Sequence, residues 1–402
     1  HGADADAVPN VELGSPFERI ARHLAYIAER KTMGPLLKAE IAIGQGAAEF
    51  CSPHEIAVGD RVVSAKRIFI CTGTSPAVPD IANLRAVQPL TNENLFQLEA
   101  VPSSLMILGA GAIACEMAQA FARLGTEVSM VFRGPRLLRR EDPDVAALVE
   151  ERLTKDGVKL YRNADMQRFD RDPDYVSLRL GDGTVLKAEH VLCALGRHFD
   201  PAPLRLDRAG VEWNARGITV DKYLRTSQPH IFACGDVNGE YQFSHAAMHQ
   251  GMVALMNCFL PGPLKRDFRR YPVPWTIFTD PPVSRVGQTP EMLRKAGVAH
   301  EIVEVRYADY GAAVAEEVDL GFVRAAVSPW GRVLGVTIVG ENSGEMINEW
   351  ATVIQNRISL LGVAMQQHSF PTMGFLSKRV AETWLMRKMD SPLLQRIVRA
   401  PF

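Results

Sequence analysis

One short run constrains this chain more than any other: Gly109-Ala110-Gly111-Ala112-Ile113-Ala114, directly after the apolar stretch LMIL at 105–108. A GxGxxA pattern between a strand-like run and a helix-like run predicts a βαβ unit that seats a dinucleotide. Gly109 permits the tight turn, Gly111 lets a pyrophosphate reach the backbone, and Ala114 lets helix and strand pack closely. Ala112 and Ile113 open the helix, whose free N–H groups and positive dipole end attract phosphate. The bland alternative is a tight βα turn without a ligand.

The end of the next strand, VSMVF, bears on which nucleotide is bound. An NAD site places an acidic residue there for the ribose 2′-hydroxyl. Here the position is Phe132, and Arg133, Arg136, Arg139 and Arg140 follow. Guanidinium groups pair with phosphate through charge-assisted bonds, so the expected guest is NADPH with its 2′-phosphate. A basic loop that is merely solvated is the alternative.

Around this unit the texture is mixed. Ser15-Pro16-Phe17-Glu18 reads as a capping box opening a helix that Gly34-Pro35 would end. The runs AEIAIGQG, HEIAVGD and RVVSAKRIFICTG predict an antiparallel meander. DPDVAALVEERLTKDG predicts a helix with an Asp cap that ends at Gly157. Later runs alternate strands (EIVEVRYAD, GFVRAAV, VLGVTIVG) with helices (EMINEWATVIQN, FLSKRVAETWLMRK). The order implies α/β domains followed by an α+β domain. A net charge of −1 argues against a nucleic-acid partner. No apolar run has the length of a membrane span and no signal peptide is visible, so a cytoplasmic protein is expected. The start HGADADAV, without methionine, is read as processed, trimmed or incomplete. The six cysteines form no CxxC, CxxxxC or zinc spacing and are expected to be mostly buried, inert thiols; no metal site is expected.

With these motifs in hand, the chain resembles the pyridine nucleotide–disulfide oxidoreductases, the family of glutathione reductase, dihydrolipoamide dehydrogenase and mercuric reductase. ICTGTSPAVP (with Thr72 and Gly73) resembles the family's strand at the crossing between domains. GAGAIACEMA resembles its NADPH turn, and CALGRHFDP (with Gly196) its exit from that domain. IFACGDV resembles the second flavin motif, where Asp236, after Gly235, would bond the ribityl chain. TDPPVSRVGQT and GEMINEWATVIQ resemble the dimerisation domain. The resemblance implies Rossmann-like FAD- and NAD(P)-binding domains plus a C-terminal α+β dimerisation domain, with FAD and NADPH as cofactors and a homodimer as the assembly. It places flavin-domain segments at 1–87 and 199–266, the NADPH domain at 88–198 and the dimerisation domain at 267–402. Ala48, Ser244 and His245 fall at its flavin positions; Ser244 would cap a helix aimed at the flavin. Arg133 and Arg139 match its 2′-phosphate positions. Glu116 matches a glutamate beside the isoalloxazine, where a buried carboxylate would need a cationic partner.

Two departures from the family pattern matter. The 402 residues hold no N-terminal GxGxxG and no CxxxxC pair, so a segment preceding His1 is expected. The family's HPTxxE is FPTMGF here, with Phe370 for the histidine and Phe375 for the glutamate; neither phenyl ring can move a proton. His368 is the candidate substitute base. The expected activity is an NADPH-dependent flavoprotein oxidoreductase serving a metal ion, quinone or small electrophile. The alternatives are a disulfide or mercuric reductase-like enzyme whose redox cysteines lie outside this chain, and a degenerate nucleotide-binding dimer.

Overall fold

A computed structural model describes residues 16–390 apart from 38, 40 and 42. The chain forms two compact units. One joins Pro102–Val191 to the segment that begins at Tyr271; the other joins the segment up to Val101 to Leu192–Arg270.

The first unit opens with the βαβ element. Strand Ser104–Leu108 enters the glycine turn, helix Ala112–Arg123 follows, and strand Glu127–Val131 returns parallel to the first in unbroken register from Ser104 opposite Glu127. Lys159–Tyr161 continues the parallel sheet on the far side, and His190–Cys193 flanks the first strand. Leu105 to Leu108 are all fully buried, as a strand covered on both faces requires. The strands Met166–Arg171, Val176–Leu180 and Val185–Ala188 form a separate antiparallel sheet.

From Trp275 the same unit builds a five-stranded antiparallel sheet, in the order Trp275–Ile277, Val283–Gly287, Val333–Val339, Phe322–Val327, Glu301–Arg306. Helices Ser343–Gln355 and Phe375–Met389 share its core, where Trp350, Ile347, Leu376 and Val380 meet Val286, Val323, Val336 and Ile338. An ion pair is sealed within this unit: Arg285 lies 2.9 Å from Glu141, both at most 3% exposed, and its guanidinium covers the Trp275 ring at 4.1 Å.

The second unit holds an antiparallel meander and a parallel pair. The meander strands are Ala48–Ser52, Glu55–Val58 and Arg61–Ser64. AEIAIGQG was expected to be its first strand; 40 and 42 lie outside the described residues, the others of this run are not strand, and pairing begins at Ala48. Phe50, nearly fully buried, gives that later segment an inward residue, whereas Ile41 and Ile43 of the earlier run are exposed. Ile68–Ile70 and Ile231–Ala233 pair in parallel.

Two helix ends also differ from expectation. Ser15 lies outside the described residues. The helix Pro16–Ile27 does not stop before Gly34-Pro35: it passes through a π-helical turn, Ala28–Met33, into Gly34–Leu36. The winding is wider here, with the Gly34 N–H on the Glu29 carbonyl. Asp142 is the N-cap of Pro143–Lys155 by position, yet its carboxylate makes no capping bond; it faces Arg324 at 3.7 Å instead.

Candidate functional site

The glycine turn follows the local rules read from the sequence. Gly109 has φ 132°, a backbone region that side chains disfavour. A Cβ on Gly111 would meet nothing in the protein within 4 Å, so the space over this residue is open to a ligand. Gly111 is also the N-cap of Ala112–Arg123 and provides no side-chain acceptor, which leaves the first helical N–H groups available to phosphate oxygens. Ala114 is fully buried, Ala112 half-buried and Ile113 exposed.

The basic loop is fastened to this turn. The Leu138 N–H donates to the Ala110 carbonyl at 2.8 Å. Phe132 is buried, whereas Arg133, Arg139 and Arg140 are exposed. Arg139 carries its stem across Gly134, on which a Cβ would stand 3.4 Å from the Arg139 Cδ. Arg136 is turned away, toward Glu291 at 3.8 Å. No acidic side chain pairs with Arg133 or Arg139 among the described residues. The free helix end and two uncompensated guanidinium groups fit a dinucleotide carrying an extra phosphate.

Glu116, in the second turn of the same helix, is half-buried. The expected cationic partner is absent among the described residues; Oε1 accepts the backbone N–H of Phe278 at 2.9 Å. Burial raises the carboxyl's pKa and this bond pulls it down. A backbone donor can hold a carboxylate here because the burial is only partial.

His368 is more elaborately held than a loop histidine. Its Nε2 lies 2.7 Å from Glu349 Oε1, with the imidazole 8% exposed, and its Nδ1 stands 3.4 Å from the Gln366 carbonyl. Glu349 comes from helix Ser343–Gln355 and carries no motif that would single it out in the sequence. Phe370 is 72% exposed. Its ring meets Phe375 edge-on, and Phe375 stacks on Tyr310. The two phenyl rings form an apolar patch, and the histidine–carboxylate pair is assembled beside it in sequence from other residues.

In the second unit the glycine–aspartate turn is braced from both sides. Gly235 has φ 80°, and a Cβ there would stand 2.9 Å from the Ala247 Cβ. Gln250 Oε1 accepts from the Gly235 N–H and from Asn238 Nδ2, both at 2.8 Å. Asp236 Oδ2 accepts from Thr74 Oγ1 at 3.1 Å and lies 3.4 Å from Arg197 Nε, while Arg197 also binds Thr74 Oγ1 at 2.8 Å. Thr72 and Gly73 (φ 68°) lead into this cluster, and the Gly196 carbonyl, beside Arg197, accepts from the Ala77 N–H. Gln250, Asn238, Thr74 and Arg197 were not singled out by sequence. Ala48 lies apart, exposed at the start of the meander.

Ser244 is not a cap. It is the first residue of helix Ser244–Phe259, and the N-cap is Phe243, extended and without a side-chain acceptor. The first helical bond, Ala247 N–H to the Phe243 carbonyl, forms one residue earlier than Ser244 could provide it. His245 stacks on the Phe243 ring. A carboxylate, flanking glycines and an uncapped helix end fit part of an FAD; a second glycine turn for its pyrophosphate is not among the 402 residues.

A glycine-turn βαβ element, a braced glycine–aspartate turn and a helix-covered antiparallel sheet define a dinucleotide-dependent oxidoreductase. The chain belongs to the pyridine nucleotide-disulphide oxidoreductase family: that family's model matches residues 16–251, and the model of its dimerisation domain matches 273–378. It is similar to dihydrolipoyl dehydrogenase of Bacillus subtilis (strain 168), with 30% identity over 87% of this chain and 76% of that protein. It is 32% identical to mercuric reductase of Bacillus cereus over 75% of this chain, and spans 48% of that protein's length. Among solved structures it resembles the HOCl-induced flavoprotein disulfide reductase RclA of Escherichia coli, with a TM-score of 0.83 and 28% identity over 92% of this chain and 85% of that one. The members of the family are flavin-dependent enzymes that use a pyridine nucleotide. No helix among the described residues is long and apolar enough to cross a membrane.

Proposed function

We propose that this chain is an NADPH-dependent flavoprotein oxidoreductase acting on a metal ion, quinone or small electrophile. NADPH would supply a hydride and FAD would relay its electrons, chemistry that the cofactors carry. The residues bind and orient. Gly109, Gly111 and the helix end after Ala112 would hold the pyrophosphate, and Arg133 and Arg139 the 2′-phosphate. Asp236, with Thr72, Gly73, Gly196, Gly235, Ser244 and His245, would hold part of the flavin, and Glu116 would serve the reacting end. The observation that carries the reading is the pair of uncompensated arginines tied to an uncapped glycine-turn helix. Calorimetric titration of the chain with NADPH and NADH tests it. NADPH should bind at least tenfold more tightly, and equal affinities would overturn the choice.

The His368–Glu349 pair favours a second reading, in which the acceptor is a disulfide. Both ring nitrogens of His368 face acceptors, Glu349 Oε1 at 2.7 Å and the Gln366 carbonyl at 3.4 Å, so a proton taken up by this imidazole would be held by hydrogen bonds. The redox cysteines for that chemistry would lie outside this chain. The matched dimerisation domain supports a homodimer, as do the exposed Trp330, Met365 and Phe370 on that part of the chain. Light scattering distinguishes it from a monomer. A cytoplasmic location is retained as part of this reading.

A further inference from the structure

The cysteines have no redox spacing in the sequence, yet the fold brings two of them side by side. Strands Ile68–Ile70 and Ile231–Ala233 pair in parallel, with Phe69 opposite Phe232 and Ile70 opposite Ala233. The next rung is Cys71 opposite Cys234, and the Cys234 N–H donates to the Ile70 carbonyl at 3.0 Å. Parallel neighbours stand about 4.8 Å apart, inside the ~4.4–6.8 Å Cα window for a disulfide. Two residues back on the same face, Phe69 and Phe232 stack at 5.0 Å, so side chains of this face project together.

The two thiols act on each other and differ in setting: Cys71 is exposed and Cys234 buried. The neighbouring Cys234 thiol lowers the Cys71 pKa to about 7 against the opposing effect of burial. Cys234 is pushed up by Cys71 and by burial. Burial also raises Cys115 and Cys193. An accessible thiolate beside a buried, protonated thiol is the arrangement that selective oxidation requires.

We propose that Cys71 and Cys234 form a peroxide-reactive dithiol, with Cys71 the attacking thiolate and Cys234 the resolving thiol. The Cys71 sulfur attacks one oxygen of hydrogen peroxide; an S–O bond forms, the O–O bond breaks, and hydroxide leaves and takes a proton as water. The Cys234 sulfur then attacks the Cys71 sulfenic acid; an S–S bond forms, the S–O bond breaks, and the hydroxyl leaves with the Cys234 proton as a second water. One peroxide is reduced to two waters and the pair loses two electrons. The pair adjoins Thr72 and Gly235, proposed above to hold flavin, and uses none of the glycine-turn or arginine residues of the NADPH reading.

The test treats the full 402-residue chain with one equivalent of hydrogen peroxide, blocks free thiols and maps them by peptide mass spectrometry. The expected product is a Cys71–Cys234 cross-linked peptide that dithiothreitol reverses, with Cys115 and Cys193 still reduced. In Cys234→Ser, dimedone should trap a sulfenic acid at Cys71, and in Cys71→Ser the Cys234 thiol should stay reduced. Oxidation of Cys51 or Cys258 while Cys71 stays reduced would overturn the proposal. So would a dimedone adduct at Cys71 as abundant in the unaltered chain as in Cys234→Ser. The unaltered chain decides the main question, so a variant that fails to fold leaves the answer intact.

Discussion

The Nε2 of His368 lies 2.7 Å from the Oε1 of Glu349, in a chain whose FPTMGF segment carries phenylalanine at both 370 and 375. The pair arises from a loop residue and a helix residue 19 positions apart. If His368 is the proton acceptor for a disulfide, His368→Ala should lower disulfide turnover by about 10²-fold or more. Glu349→Gln, which keeps the hydrogen bond but removes the charge, should cost less. Quinone reduction by the same variants should be unchanged. Steady-state assays with both acceptors and added FAD read this out. Unaltered disulfide turnover in His368→Ala would remove His368 as the proton acceptor, and absence of disulfide turnover in the unaltered chain would remove the second functional reading.

Under the proposed NADPH reading, nucleotide choice would rest on Arg133 and Arg139, which are exposed and without acidic partners among the described residues. Each charge-assisted phosphate contact is worth roughly 1.5–3 kcal/mol. The double variant Arg133→Ala/Arg139→Ala should therefore lose most of the preference for NADPH over NADH, while NADH affinity changes little. Titration calorimetry of both nucleotides gives the comparison. Weakening of both nucleotides to the same degree would show that the arginines contact the shared pyrophosphate or only solvate the loop.

What the sequence made legible were features whose causes are local. Gly109 needs a backbone angle that only its own neighbours impose, and the apolar run before it needs only its own composition to read as a buried strand. The Asp236 turn was visible for the same reason. The partners of these residues were not. Gln250, Thr74 and Arg197 converge on the Gly235–Asp236 turn from distant segments, and no spacing rule links them. Cys71 and Cys234 each look like an ordinary strand thiol until the parallel register sets them in one rung. Ser244 was misread because a serine before a helical run has the composition of a cap, whereas the backbone becomes helical one residue sooner.

The Arg285–Glu141 pair tests how the glycine-turn element and the antiparallel sheet hold together within their unit. Burial raises the Glu141 pKa and lowers that of Arg285, each opposed by attraction to the other. Removing one partner leaves a buried charge uncompensated, so Arg285→Met alone should destabilise the chain by about 3–5 kcal/mol. Arg285→Met/Glu141→Leu should recover much of that loss, because both desolvation costs disappear. Denaturant unfolding of the two variants and the unaltered chain measures the difference. Additive losses in the double variant would mean that the pair contributes through packing on Trp275 and not through charge.

The Cys71 thiolate gives a pH-dependent signature that any fully exposed, isolated thiol lacks. The neighbouring Cys234 thiol holds the Cys71 pKa at about 7, below the ordinary value of about 8.5. The nucleophile is the deprotonated form, so alkylation by iodoacetamide should rise as pH increases through about 7 and level off above about 8. Cys234→Ala removes the donor, and the Cys71 midpoint should then move upward toward the ordinary value. Cys51, exposed and outside this pair, supplies the internal comparison in the same digest. Mass spectrometry of both peptides across the pH range gives the two curves. Coincident midpoints for Cys71 and Cys51 in the unaltered chain would show that Cys234 does not stabilise the thiolate, and a Cys71 midpoint that stays near 7 in Cys234→Ala would assign the shift to another group.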